Sequence, residues 1–460
     1  MDIPRRRSAA ESLNNFSSSV ARSVNYLSQS FDANHANIHV HLPEPEYGSE
    51  VSPLIETNSN AIYEGPELTP VASYETAILL LKSSPIQTVF NSINVLIGLG
   101  IFSIPLAFHY SGWICGFLIL TFSAFSTNRT AVILGDIMSR HSQLRSYQDI
   151  GVYCYGSIVG FMIVIIFAFD LYGAGISMVL LFSDSLNALM GWDKTVLKSV
   201  CCFILMVLNF MPLRILSFLS LMGILCTSST CLIIILSGFV RSEHPGSLLD
   251  YMPTNVWPVS TTGLLFSLGL FMAPWGGHAT FPEIYIDQEE PEKYGKCMSV
   301  SFGFSYAVDL LTGIVGFLMF GSTVQGEVTN NILMGDYPKL LQHSLVLLMG
   351  LLPISKLPLM SRPILTILDQ YFPAILGRMI LSGLYLGAAC VFQDFSSVVA
   401  LLGAGVCFTV CIVLPSSFAI SEGGGKQGDS SRGSFYLWWG LIVVGGAGAI
   451  LGTLGVLLRG

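Results

Sequence analysis

Charge is scarce in this chain. Asp, Glu, Lys and Arg supply 11% of its 460 residues, against about 25% in an ordinary soluble domain. Hydrophobic residues supply 52%, mean hydropathy is +0.65, and the apolar runs reach the roughly 20 residues that a bilayer-spanning helix needs. A soluble globular protein is excluded, and the fold class is an all-α polytopic membrane protein. Histidine is scarcer still, with eight residues scattered along the chain, so the His-rich clusters of membrane enzymes are missing and no enzyme is expected. No GxxxxGK[ST] loop occurs, which excludes an ATP-driven pump of that kind. The ten cysteines form neither a disulfide framework nor a zinc pattern. Eight of them lie in apolar runs, Cys154 and Cys297 in polar loops, and Cys407 and Cys411 share a helix face as packing residues with no nearby His or carboxylate. No metal, cofactor or nucleic-acid partner is expected. No apolar run follows "MDIPRRRSAA", so no cleavable signal peptide is expected either.

What is present divides the chain. Residues 1–84 hold ten acidic and five basic residues, are rich in Ser, Asn and Pro, and read as a disordered cytosolic tail. Eleven segments then read as spans: 86–108, 112–138, 158–184, 197–212, 216–240, 262–282, 299–321, 339–361, 374–392, 396–415 and 435–458. Residues 85–415 form a ten-helix core, with halves of about 85–240 and 262–415. Residues 416–434 are a cytosolic loop, and 435–460 the eleventh span and C-terminus. With the tail in the cytosol, 14 Lys and Arg fall on the cytosolic side and five on the other, which sets the N-terminus inside and the C-terminus outside.

Two spans weaken themselves. The first reads "NVLIGLGIFSIPLAFHYSGW" and the sixth "FMAPWGGHATFPE", with Gly and Pro in the middle of each, although they cost about 1 and 3 kcal/mol in a helix interior. The first break begins at Gly98, 12 residues after Ile86, and the second at Pro274, 12 residues after Thr262. Such breaks are tolerated at bilayer depth only where they line a cavity. Paired at matching offsets, they point to a transporter of two inverted five-helix repeats, with the site at the breaks; isolated kinks are the plainer alternative. Freed N–H groups at a half-helix start suit a carboxylate and freed carbonyls at a facing end suit an ammonium. An α-amino acid carries both. Candidate substrate-binding residues are Asn94, Gly98, Gly100, Phe102, Ser103, Trp275, Gly276 and Gly277.

These same stretches, with "GSLLDYMPTNVWP", "APWGGHATFPEI" and "PISKLPLMSRPI", resemble the amino acid/auxin permease family. The resemblance covers about residues 85–420 and is strongest to its fungal vacuolar amino acid transporters. It implies a LeuT-type 5+5 inverted repeat with helices 1 and 6 broken, an eleventh span, and proton-coupled transport of neutral amino acids such as glutamine, tyrosine, isoleucine or asparagine across the vacuolar membrane. Asn94 matches an asparagine that helps hold sodium in sodium-coupled relatives. Lys356, on the facing span, alters that site.

Ionisable residues inside spans are candidates for coupling. His278 lies within the second break, and histidine is the residue type suited to carrying a proton between cytosol and an acidic lumen; a neutral imidazole bracing the break is the alternative. On this reading His278→Ala should abolish proton-driven accumulation and leave some exchange. Lys356 either stands in for the sodium ion or snorkels to the cytosolic interface beside Arg362, the plainer reading. Asp170 either titrates in the pathway or pairs permanently with a base such as Arg129, again the plainer reading. In the tail, Glu50, Leu54 and Ile55 match an acidic dileucine sorting signal. The function these features favour is a proton-coupled antiporter working by alternating access, with an amino-acid sensor signalling through its tail as the alternative.

Overall fold

A computed structural model describes residues 82–211, 213–422 and 430–459. The sorting triplet Glu50, Leu54 and Ile55 lies outside the described residues. The described residues are predominantly helical: α1 Pro85–Leu96, α2 Ile104–Arg140, α3 Tyr147–Tyr155, α4 Ser157–Met190, α5 Lys194–Leu208, α6 Leu213–Val240, α7 Thr261–Met272, α8 Phe281–Asp287, α9 Tyr294–Phe320, α10 Val328–Met334, α11 Lys339–Met360, α12 Arg362–Tyr371, α13 Ala374–Val391, α14 Phe395–Leu401, a π-wound segment Leu402–Val413, α15 Leu414–Ser421 and α16 Ser430–Leu457.

Among the described residues, eight helices are long and apolar enough to cross a membrane. The eleven expected segments do not map one to one onto these eight, for local reasons. The first and sixth segments are divided, each opening with a half-helix of 12 residues, α1 and α7. Helix α2 departs from helical geometry at Gly112, where φ is 69°, a value glycine adopts without strain. Helix α5 has 15 residues. Short helices also occupy stretches expected to be loops, α3, α10 and α12, and Cys154 and Cys297 lie on helices α3 and α9 rather than in loops.

The tenth segment runs to Ser421, past its expected end at 415, so part of the expected loop 416–434 is helical. The helix runs on through the π-wound Leu402–Val413 into α15 with Pro415 in its first turn, and in the turn before it Val410 O and Cys411 O accept the Tyr147 and Thr130 hydroxyls.

Packing places the breaks centrally. Helix α11 lies along α6 and α4, α9 along α2 and α1, and α7 between α2, the π segment and α16. At the end where the chain enters α1, Ser83 N donates to Asp287 O at 2.7 Å and Glu289 N to Ser83 O at 2.8 Å. The Ser83 hydroxyl also donates to Asp287 Oδ2 at 2.6 Å. The start of α1 is thereby tied to the end of α8. Helix α9 begins at this end and, with 27 residues, rises about 40 Å to the opposite end.

Candidate functional site

Both helical interruptions border one cavity of about 300 Å³, a volume at the small end of the roughly 300–1,000 Å³ of small-molecule sites. At the first, α1 ends at Leu96, Gly98 is extended, and a 3₁₀ turn Leu99–Ser103 leads into α2. At the second, α7 passes through a 3₁₀ turn Ala273–Trp275 to Gly276, and helix resumes at Phe281. The two touch directly: a Cβ on Gly100 would lie 2.8 Å from Pro274 N, so only glycine permits the contact. Asn94, Gly98, Gly100 and Gly276 line the cavity. The side-chain oxygen Oδ1 of Asn94 has no hydrogen-bond partner among the described residues.

Lys356 enters the cavity rather than the interface. Its Nζ donates to Ile97 O at 3.2 Å, at the residue that caps the C-terminal end of α1. The freed carbonyls and the negative end of a helix both favour a cation there. Snorkelling is therefore overturned: the break offers the ammonium an acceptor within the fold, and the Arg362 guanidinium instead donates to Met211 O.

Asp170 lines the same cavity from α4. The expected partner Arg129 lies over the Phe125 ring, 5.1 Å from its centroid, and no ion pair joins Asp170 to a base among the described residues. Arg129 and Phe125 stand four apart on one exposed face of α2, a spacing that makes them neighbours and turns the guanidinium away from α4.

Half of the predicted substrate residues stand behind the cavity wall. Phe102 and Ser103 are fully buried, and the Ser103 hydroxyl donates to Gly326 O at 2.7 Å. Trp275 stacks on Phe302 with centroids 5.7 Å apart. Gly277 packs against α1, since a Cβ there would lie 2.7 Å from Val95 Cγ1.

His278 is also outside the lining. Its Nε2 lies 2.9 Å from Thr130 Oγ1 and 3.1 Å from Thr127 O, and Thr130 Oγ1 donates to Cys411 O at 2.6 Å. A carbonyl can only accept, so this pattern assigns the ring proton to Nε2. The ring ties the second break to α2 and, through Thr130, to the π segment. Cys411 interacts with His278 and with Cys407, and Cys407 with Asp170, so the two cysteines do have a histidine and a carboxylate near them. No group of three potential metal ligands forms among the described residues.

The wall that sequence reading missed is α4, where Phe167, Leu171, Ala174, Ser177 and Met178 accompany Asp170 along one face. Their three- and four-residue spacing through Asp170 was the available signal. Asn91 joins Asn94 from one turn earlier on α1. Most of the lining is apolar, and Asp170 and Lys356 are its one acid and one base.

A family model described as "Transmembrane amino acid transporter protein" matches residues 81–458. The chain is similar to Amino acid transporter AVT1E of Arabidopsis thaliana, 24% identical over 400 residues that cover 81% of this chain and 73% of that protein. It is similar to Amino acid transporter AVT1H of the same plant, 28% identical over 360 residues covering 73% of this chain and 81% of that protein. Among solved structures it is similar to the inward-facing conformation of Mhp1, with a TM-score of 0.50 and 11% identity over 82% of this chain and 91% of that chain. That likeness is one of fold, and Mhp1 is a nucleobase-cation-symport-1 family transporter.

Proposed function

The chain belongs to the transmembrane amino acid transporter family, and from that premise we propose that it moves neutral amino acids across the vacuolar membrane by alternating access, in exchange for protons. The observation that carries the reading is one small cavity that reaches both helix breaks and holds one acid and one base. A zwitterion brings one charge of each sign. The substrate carboxylate meets the N–H groups of Leu99 and Gly100 at the start of the 3₁₀ turn, the Gly98 N–H being taken by Leu96 O, and the ammonium meets the carbonyls of Ala273 and Gly276. Asp170 and Lys356 balance each other in an otherwise apolar lining, so a third charge, on the substrate's side chain, would be left uncompensated, and an uncompensated buried charge is strongly unfavourable. Neutral side chains are thereby selected.

In this reading eleven passes form two five-helix repeats plus one, with the tail cytosolic and the C-terminus lumenal. Lys356 occupies the cation position at the end of α1 that sodium fills in coupled relatives, facing Asn94, so no sodium is required. Asp170 and Lys356 exchange the coupling proton with the cavity water, and one helix bundle rocks against the rest. His278 braces the second break. Each pH unit supplies about 1.4 kcal/mol per proton, enough for roughly tenfold accumulation at one proton per amino acid.

The test is uptake of labelled neutral amino acids into sodium-free proteoliposomes made acid inside, with and without a protonophore. Accumulation that the protonophore abolishes is the expected result; uptake unchanged by it would overturn proton coupling. In the same assay His278→Gln, whose amide can still donate to Thr127 O, should keep gradient-driven accumulation. Loss of accumulation with exchange intact would return the coupling proton to His278.

A further inference from the structure

At the outer end, the segment between α9 and α10 closes over the first break. Gly326 O accepts the Ser103 hydroxyl three residues beyond the cavity-lining Gly100. On its other side a Cβ on Gly326 would lie 3.3 Å from Ser396 and 3.4 Å from Asp394 Oδ1. The segment is thus wedged between the first broken helix and the start of α14. The next residue is Glu327, 1% exposed, and neither of its carboxyl oxygens has a well-formed hydrogen bond among the described residues.

Four elements bring polar or charged groups to Glu327: Asp184 from α4, Lys194 from α5, Asp394 ahead of α14, and Asn330 from α10. The charged ones are otherwise engaged. Lys194 Nζ lies 2.7 Å from Asp184 Oδ1. Asp394 accepts from the Ser396 hydroxyl at 2.7 Å and from Ser397 N at 2.9 Å. Lys198, the other base near Asp184, donates to Ala389 O at 2.7 Å. Glu327 is the carboxyl of this cluster left without an ion-pair partner, with only the Asn330 amide beside it, in a setting where a second or third negative charge is unwelcome.

We infer that Glu327 is a proton-binding site that latches the outer gate: protonated, it lets the segment seat over the first break, and ionised, it lifts the segment toward solvent. Burial holds the seated carboxyl well above the ordinary carboxylate range, Asp184 and Asp394 push it further the same way, and Lys194 and the Asn330 amide pull against them. The lifted segment has an ordinary carboxylate, near pH 4.3. The seated form therefore binds the proton more tightly, and acid favours it. Seating is fullest below the exposed carboxylate's pKa, weakens about tenfold per unit as pH rises above it, and levels off beyond the raised pKa of the seated form. An acidic lumen would then keep the gate shut against return of accumulated amino acid. The proposal rests on the orientation given above but not on proton coupling of transport.

The test uses Val328→Cys, a fully buried neighbour, as an accessibility reporter in the purified full chain, with and without Glu327→Gln. Labelling rates with a maleimide are compared as a ratio at each pH, which cancels the reagent's own pH dependence. The ratio of the Val328→Cys protein to the double variant should be near one at pH 4 and rise by at least about tenfold by pH 8. A flat ratio would overturn the latch. If the substituted chains fail to fold, hydrogen exchange of amides 324–330 in the unsubstituted chain, corrected for intrinsic rates, replaces it. Protection should fall as pH rises, and pH-invariant protection overturns the proposal. Gradient-driven uptake is not read in either experiment, so loss of the coupling reading and loss of the latch remain separate results.

Discussion

Lys356→Met should reduce amino acid uptake by roughly 10- to 700-fold, an effect built from two terms. The Nζ contact to Ile97 O satisfies a carbonyl that the break has freed, and leaving such a group buried and unpaired costs about 1–3 kcal/mol. The same ammonium sits at the negative end of α1, worth about another 0.3–1 kcal/mol and more where partly buried. Together they come to about 1.3–4 kcal/mol, at a factor of ten per 1.4 kcal/mol. Methionine is the informative replacement because it keeps the unbranched stem. That stem passes Gly223 of α6, where a Cβ would lie 2.8 Å from Lys356 Cγ, so packing is retained while charge and donor are lost. Initial uptake rates and thermal stabilisation by the amino acid should fall together if the cavity that Lys356 lines is the binding site proposed above. Uptake at the unsubstituted rate in Lys356→Met would show that the break forms and binds without its cation.

The breaks themselves were legible because glycine and proline announce a local conflict with helix geometry that no later packing removes. Gly98, Gly100, Pro274 and Gly276 fall where the helices open. The direction in which side chains leave an opened segment was not legible. His278 lies in the second break by sequence, yet the turn through Gly276–Thr280 sends its ring to Thr127 and Thr130, away from the cavity. Helix rotation was hidden in the same way. Asp170 and Arg129 are both charges in apolar helices, but nothing local says that Arg129 faces outward over Phe125. The α4 wall was invisible for a different reason: Phe167, Leu171 and Met178 line a cavity, and the same residue types would face lipid equally well. Glu327 sits in a stretch that reads as an ordinary polar loop, and only the convergence of α4, α5, α10 and the start of α14 buries it.

Gly403→Ala should cost more in stability than any other single methyl considered in this protein, because the π segment and α7 meet backbone to backbone just behind the second break. A Cβ on Gly403 would lie 1.9 Å from Gly269 O and 2.8 Å from Ala273 N. A Cβ on Gly269 would lie 2.1 Å from Ala400 O. These atoms are main chain and cannot rotate away, so the helices must separate and forfeit their packing. Overpacking a well-filled core costs about 1–3 kcal/mol even where side chains can yield, and here they cannot, which sets the upper figure as a floor. Gly303→Ala is the matched control: it lies within α9 with nothing within 4 Å of its would-be Cβ, and alanine should gain up to about 1 kcal/mol of helix propensity there. Melting of the purified protein followed by size-exclusion chromatography should therefore fall by several degrees in Gly403→Ala and hold or rise in Gly303→Ala. Because Ala273 lines the cavity and contacts the same site, Gly403→Ala should also weaken substrate binding in whatever fraction stays folded. An unchanged melting point in Gly403→Ala would mean that the two helices do not approach this closely, and the second break would lose the backing that holds it open.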